Sequence, residues 1–304
     1  MNILVIGSEG TIGRELVAAL EARKGNIVYC ADVHFIERER YYTVDINEYE
    51  SLMAPFRRYP DTVYHLAAQV GRRASEVNQC HTLETNVIGT YNVCKYCYEY
   101  DARLVYAGTS ESYGNMLDSS GDVFEIDALR NVRHNTMYGL SKQLGEQVVM
   151  YYHDRYGMDA VLLRYIMCYG KERPSVYRSA MVRFIDAALK DEPIYVHRNT
   201  SRAWCHVSDT VEATICVGES SLYDLFNVGR DDWVEMVDLA KMVVEMVDSK
   251  SEVVVKEKDD DIYRHKKIVC DKIRNKLKWE PRIDLAEGMR MEIEFQKERN
   301  GYYD

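Results

Sequence analysis

The sequence predicts an α/β fold: a doubly wound parallel sheet with a smaller C-terminal α/β domain. Three observations predict it. A continuous apolar run from Ile3 to Ile6 leads into three glycines and then a helical pattern. Buried-strand patterns alternate with helical ones through the first half of the chain, the order that builds a parallel sheet. Beyond Gly170 that alternation loosens into short strands set between helices.

The opening stretch carries the most. Ile3 to Ile6 is apolar without alternation, the pattern of a strand buried on both faces. Gly7, Gly10 and Gly13 follow, and Ile12, Leu16, Val17 and Leu20 recur at helical spacing. Strand, glycine loop and helix make a phosphate-binding element. Gly7 allows the tight turn, Gly10 lacks the Cβ that would block a pyrophosphate, and Gly13 lets the helix pack close on the strand. The helix start at Thr11 and Ile12 offers free N–H groups and a positive dipole end to an anion. The spacing is G-x-x-G-x-x-G rather than G-x-G-x-x-G. Its place directly after a buried N-terminal strand gives it weight.

Composition bounds the rest. The 304 residues suffice for one large or two ordinary domains. At 46% hydrophobic and 29% charged residues, the chain has the balance of a soluble globular protein. A net charge of −10 argues against a nucleic-acid partner, which needs a basic face. A polyanionic small substrate would have to meet local clusters of Arg and Lys. No apolar run approaches the roughly 20 residues of a membrane span, so no membrane partner is expected. No basic segment precedes the first apolar run, so that run is not a signal peptide. Eight cysteines without a secretion signal read as reduced thiols in a cytoplasm. Cys94 and Cys97 form a C-x-x-C inside a helical pattern with no second pair nearby, which reads as helix packing, and no metal site is expected.

Taken in order, the second strand runs from Asn26 to Ala31 with Asp32 at its end. A dinucleotide fold puts there the acid that binds the adenosine ribose hydroxyls. A carboxylate repels a 2′-phosphate, which favours NAD, while Arg38 and Arg40 nearby leave NADP open. Tyr42 to Asp45 is a short strand. Thr62 to Ala68 is a fourth strand, whose small Ala67-Ala68 end suits a flat cofactor lying on backbone. Asn86 to Tyr98 is helical through Val87, Tyr91, Val93, Cys94 and Cys97. A fifth strand, Arg103 to Ala107, runs into Gly108-Thr109-Ser110-Glu111-Ser112-Tyr113-Gly114. Open α/β sheets bind ligands at such a C-terminal strand end. Met137 to Tyr152 is a helix on which Tyr138 and Lys142 share one face. Val161 to Ile166 is the sixth strand. Arg173, Arg178 and Arg183 then sit in or before a helix from Met181 to Leu189, and Ile194 to Val196 is a short strand. Leu225 to Gly229 is strand-like, 233 to 249 helical, and Val253 to Val255 a strand. A mostly helical tail from Ile273 to Glu298 breaks at Trp279-Glu-Pro281.

With Tyr138-x-x-x-Lys142 in place after the glycine loop, the chain resembles the extended short-chain dehydrogenase/reductases, in particular the nucleotide-sugar epimerases, dehydratases and decarboxylases. The resemblance covers nearly its full length. It implies a Rossmann-type domain over about 1–168, to which the chain returns around 202–229, and a nucleotide-sugar-binding domain mainly over 169–304. It implies NAD as cofactor, with Gly7, Gly10, Thr11, Ile12 and Gly13 at the pyrophosphate and Asp32 at the ribose. Asp45 and Ile46 fall at the adenine-contacting position. Leu66-Ala67-Ala68-Gln69 matches the cofactor-lining segment, and Asn86 in Asn-Val-Ile-Gly-Thr the asparagine after it. Arg202 in Arg-Ala-Trp-Cys-His-Val-Ser-Asp matches an arginine that meets the substrate diphosphate. Arg264, ahead of Leu277-Lys-Trp-Glu-Pro281, matches a second one across a one- or two-residue insertion. A homodimer through helices at about 84–100 and 137–156 is implied as well. Tyr91, Tyr96, Tyr98, Tyr151 and Tyr152 there exceed one core-facing stripe.

The chemistry can be argued from the residues. A tyrosine of pKa ~10 is a poor base at neutral pH. A nearby lysine cation and the positive nicotinamide ring both favour the phenolate. Tyr138 can then take a proton from a sugar hydroxyl as hydride leaves for the cofactor, Lys142 can hold the nicotinamide ribose, and Thr109 the same hydroxyl oxygen. An acid at Glu111 resembles the 4,6-dehydratases and the glucuronate decarboxylases, which first make a 4-keto sugar and then work near C5 and C6. Three positions depart from the family pattern. Ser110 stands where dTDP-glucose dehydratases carry Asp, which leaves the mannose-type dehydratases and the decarboxylases. Met167 replaces the asparagine of L-R-x-F-N-x-Y-G, where a polar contact to the sugar nucleotide is expected, and Lys171 replaces the following proline. The expected reaction is 4,6-dehydration, ahead of decarboxylation and then 4-epimerisation. The alternative from another class is a non-catalytic NAD-binding regulatory module, which usually loses Tyr, Lys or the hydroxyl residue.

Overall fold

The structure is a computed structural model that describes residues 1–118, 121–129, 132–172, 179–257 and 267–300. Seven strands form its main sheet: β1 (Asn2–Ile6), β2 (Ile27–Asp32), β3 (Tyr41–Thr43), β4 (Thr62–His65), β5 (Arg103–Thr109), β6 (Ala160–Tyr165) and a last strand, Leu225–Val228. Every pairing is parallel. In space the order is last strand, β6, β5, β4, β1, β2, β3, so the winding reverses between β1 and β4. That reversal opens a crevice at the carboxyl ends of the strands. Ile6 pairs with both Ala31 and His65, so the loops leaving β1, β2 and β4 start level with one another.

The unalternated apolar run of β1 is explained by burial on both faces. Ile3 and Val5 pack with Leu16, Val17 and Leu20 of the first helix, α1 (Thr11–Glu21). Leu4 and Ile6 join the opposite core with Val63, Val93 and Leu104. A third core gathers Tyr169, Met181, Ile185, Ile194, Trp204, Leu239 and Ile293 from the C-terminal half. There Ile194–His197 pairs in parallel with Val253–Lys256.

The predicted elements are present, with instructive differences at their ends. The fourth strand stops at His65 rather than Ala68, because the N–H groups of Leu66 and Ala67 both turn onto the Ile6 carbonyl, at 2.8 and 2.9 Å. The helix expected from Asn86 starts upstream at Gln79 and passes through a wider turn, Glu84–Gly89, before Thr90–Glu99. A short helix, Arg72–Val77, carries no amphipathic signal in the sequence. After β5 the chain folds into tight helical turns over Ser110–Asp118, kinked at Gly114. Cys94 and Cys97 are buried in the core, and all eight cysteines are free thiols. No described helix is long and apolar enough to cross a membrane.

Candidate active site

A cleft of about 690 Å³ lies over the carboxyl ends of the strands. Its first wall is the glycine loop, where each glycine has its own reason. Gly7 has φ +88°, and a Cβ on it would sit 2.5 Å from the Ala67 nitrogen. A Cβ on Gly13 would run into the Gly7 carbonyl oxygen and stand 2.9 Å from Ser8 backbone, so that glycine lets α1 close onto the turn. A Cβ on Gly10 would touch only the Gly7 oxygen, at 3.4 Å, while Gly10 itself lines the cleft. The protein's own packing therefore does not require a glycine at position 10, whereas a pyrophosphate lying on the loop does. No side chain caps α1, so its first N–H groups, including those of Thr11 and Ile12, face the cleft without an internal acceptor. These features fit a dinucleotide phosphate.

The adenosine end is built from β2 and β4. Asp32 is buried; its Oδ2 accepts the Glu9 N–H at 2.9 Å and its Oδ1 the His34 N–H at 3.2 Å. Arg38, one of the two cations that left NADP open, is paired with Glu21 at 2.5 Å. Asp45, Ile46 and the run Leu66-Ala67-Ala68-Gln69 all line the cleft. Asn86 does not. It is fully buried behind the wall, where its Oδ1 accepts the Gln69 N–H at 2.8 Å and its Nδ2 donates to the Gln69 carbonyl and to Ser141 Oγ. Asn86 braces the wall: it ties the Leu66–Gln69 segment to the helix that carries Tyr138.

At the other end the cleft brings together Thr109, Ser110, Glu111, Tyr138 and Lys142. Thr136 caps the helix Met137–Tyr156 by accepting the Gly139 N–H at 3.1 Å, which sets Tyr138 in its first turn. Burial pushes the Tyr138 phenol up to about 12, a hydrogen bond with Thr109 opposes this, and the charge of Glu111 adds to it. The Lys142 ammonium lies 4.3 Å from the centre of the Tyr106 ring. Burial brings Lys142 down to about 8, against the pull of Glu146. Burial and Lys142 together hold His65 down at about 3, so the imidazole beneath is neutral.

The substrate side is less as expected. Met167 lines the cleft at φ +35°, a left-handed conformation that an asparagine adopts at less cost than a methionine. Arg202 is buried on the short strand Ser201–Arg202, donates to the Ser201 carbonyl at 2.7 Å and does not line the cleft. Arg264, Arg173 and Arg178 lie outside the described residues. Several wall residues went unforeseen, among them Glu9, Glu172 and His81. Glu9 sits inside the glycine loop, where its position alone could have flagged it. Glu172 follows the Tyr-Gly-Lys turn and accepts the Ser179 N–H at 2.9 Å. His81 lies on a helix the sequence did not announce.

Comparison with known proteins agrees with this fold. The profile of the NAD dependent epimerase/dehydratase family matches residues 3–229. UDP-glucuronic acid decarboxylase 3 of Arabidopsis thaliana is 28% identical, over 99% of this chain and 90% of its own. An epimerase of Methanothermobacter thermautotrophicus superposes with a TM-score of 0.91 at 25% identity, covering 99% of this chain and 93% of that one. The UDP-glucose 4-epimerase of Thermus thermophilus, solved in complex with NAD, gives 0.87 at 25% identity over 97% and 99%.

Proposed function

The chain belongs to the NAD dependent epimerase/dehydratase family, and within it we propose a nucleotide-sugar 4,6-dehydratase, which oxidises C4 of a nucleotide-linked hexose transiently and removes water across C5 and C6. One observation carries the reading: Glu111 shares a cleft with Tyr138, Lys142 and Thr109. The glycine loop, Asp32, Asp45, Ile46 and Leu66–Gln69 would hold NAD, with residues 1–168 and 202–229 as its domain. The remainder, 169–201 and 230–304, would form the sugar-nucleotide side.

Bound there, NAD supplies a hydride acceptor that returns the hydride later in the cycle. The chain's residues handle the protons. Tyr138 takes the proton of the C4 hydroxyl, and Thr109 holds that oxygen in line. Lys142 supplies the cation of the site. The resulting C4 ketone acidifies the C5 hydrogen. Glu111 removes that proton and gives it to the C6 hydroxyl, which leaves as water. A positioned acid–base of this kind contributes about 10²- to 10⁴-fold. A non-catalytic NAD-binding module would have no use for all four groups together.

Charge favours dehydration over decarboxylation. Among the described residues lining the cleft, Lys142 is the only lysine or arginine, against Glu9, Asp32, Asp45, Glu111 and Glu172. A uronate carboxylate would add one more negative charge to this acidic lining, whereas a neutral hexose would not. Decarboxylation is the second reading, favoured by the likeness to the Arabidopsis decarboxylase. It would share the C4 step and use the ketone as electron sink for CO₂ loss. In a 4-epimerase Glu111 would have no C5 proton to move.

A panel of UDP-, GDP-, dTDP- and CDP-linked hexoses and UDP-glucuronate, analysed by mass, tests this. Loss of one water from a hexose is expected. Loss of CO₂ from the uronate, or an isomer of unchanged mass, would replace the reading with decarboxylation or epimerisation. Glu111→Gln should still build up reduced-cofactor absorbance while product release falls about a hundredfold or more. Tyr138→Phe should lose both. If Glu111→Gln also loses both, Glu111 belongs to binding or to the fold.

A further inference from the structure

Beneath the cleft lies a buried ion pair that the chemistry above does not use. Glu146 and Arg164 are both fully buried. Glu146 sits on the Met137–Tyr156 helix, one turn beyond Lys142. Its Oε2 accepts Arg164 Nη2 at 2.7 Å and Nε at 3.1 Å, and its Oε1 accepts Arg164 Nε at 3.1 Å. The same Oε1 accepts Ser112 Oγ at 2.8 Å. Arg164 Nη1 donates to the Glu125 carbonyl at 2.9 Å, and its guanidinium lies 4.7 Å from the centre of the Tyr113 ring. The Tyr113 hydroxyl donates to Asn227 Oδ1 at 2.5 Å.

Ser112 and Tyr113 are neighbours in the segment that carries Ser110 and Glu111, so two adjacent side chains fasten that segment to one ion pair. The approach is close enough to exclude a side chain at position 108. A Cβ on Gly108 would stand 2.8 Å from Glu146 Oε1 and clash with the Leu163 carbonyl oxygen. Burying two charges is costly, and apolar replacements of similar volume are often as stable or more so. The fold alone therefore gives little reason for an ion pair here. The registry of the two segments it joins does.

We propose that Glu146 is a positioning residue: through Ser112 it locks the Ser110–Glu111 segment to the helix that presents Tyr138 and Lys142. The proposal rests on the reading that Glu111 acts at C5 while Tyr138 acts at C4. The two groups then need a fixed separation, set by one carboxylate that belongs to the Tyr138 helix and grips the Glu111 segment. Its negative charge also opposes loss of the proton from buried Lys142.

Ser112→Ala tests this, since it removes only the bond from the segment to Glu146 and leaves the three Arg164 contacts in place. Amide exchange by mass spectrometry should quicken within 110–118 and stay unchanged in 137–156. In single turnover, reduced-cofactor absorbance should form within about twofold of the wild-type rate, while product forms about tenfold more slowly, the scale of one buried hydrogen bond. KM should hold, and Ser112→Thr, which restores a hydroxyl, should recover most of the loss. Unchanged exchange over 110–118, or equal slowing of both steps, would overturn the proposal. Failure of the functional reading shows separately: wild-type protein would then give neither dehydrated nor decarboxylated product, and the exchange measurement alone would judge the positioning role.

Discussion

The Glu9 backbone N–H donates to the Asp32 carboxylate at 2.9 Å, which joins the glycine loop to the end of β2 as one unit. The acid that would select the cofactor is therefore held by the loop that would bind its phosphates. A carboxylate has acceptor capacity beyond its two backbone donors, enough for ribose hydroxyls. With Glu9 also on the cleft wall and Arg38 paired to Glu21, a 2′-phosphate would meet two acids and no free guanidinium from Arg38. Asp32→Ser should weaken NAD binding about 10- to 100-fold, the range of a lost charge-assisted hydrogen bond, and bring NADP to comparable affinity. Fluorescence titration with both dinucleotides checks it. Tighter binding of NADP by the wild-type protein would contradict the assignment.

The glycines separate folding from binding. Gly13→Ala forces a methyl into the Gly7 carbonyl, an overpacking that should cost about 1–3 kcal/mol and lower Tm. Gly10→Ala adds its methyl to the cleft, so Tm without ligand should hold while NAD affinity drops about tenfold or more. Thermal melts beside cofactor titrations measure both. Equal loss of stability in the two variants would remove the argument that position 10 answers to a ligand.

What could be read in the sequence divides along physical lines. The β1–glycine loop–α1 unit was legible because its geometry runs through backbone atoms of consecutive residues. Asp32 was legible because a strand end is a fixed place. The contacts of Asn86 and Arg202 were not legible, because they depend on how segments meet in space. Asn86 reaches back to Gln69 and across to Ser141, and Arg202 donates one bond to the Ser201 carbonyl. The Lys142 ammonium likewise goes to the Tyr106 ring, a contact no spacing on the helix encodes. Nothing in the helical pattern singles out Glu146, and only the approach of β6 makes it half of a buried pair.

The two long helices bear on assembly. Tyr96 and Tyr152, counted from sequence among surplus aromatics, are buried: Tyr96 lies 4.9 Å from the Phe56 ring centre. Tyr91, Tyr98, Tyr151 and Tyr156 remain exposed, together with Ile88 and Leu144. Tyr98 and Tyr156 touch across the two helices at 5.3 Å between ring centres, so these residues form a joint face. Such a face is expected to pair with its copy in a homodimer. Light scattering at micromolar concentration should give a dimer mass, and Tyr151→Glu a monomer of unchanged Tm. A monomeric wild-type protein would count against it.

A carboxyl behind the substrate side should make stability depend on pH. Glu292, on the helix Leu285–Asn300, is buried; its Oε2 accepts the Lys171 N–H at 2.6 Å and its Oε1 the Gln296 side chain at 2.7 Å. Burial raises it to about 7 from an ordinary 4.5; hydrogen bonds from Gln296 and from the Lys171 and Glu172 backbone oppose this, and the Glu172 charge adds to it. Its folded pKa thus exceeds its unfolded one, and between those values the native state binds more protons. Its contribution is fully present below about 4.5 and is lost as pH rises through about 7. Glu292→Gln cannot titrate, so the stability of that variant relative to wild type should rise between pH 5 and pH 7.5 by on the order of 1–3 kcal/mol. Comparing the two proteins at each pH cancels the carboxylates they share. Urea melts at both pH values measure the difference. A constant offset would mean that Glu292 ionises like a surface acid despite its burial, and that Lys171, whose N–H holds the turn after Gly170 beside the cleft, binds a permanent carboxylate.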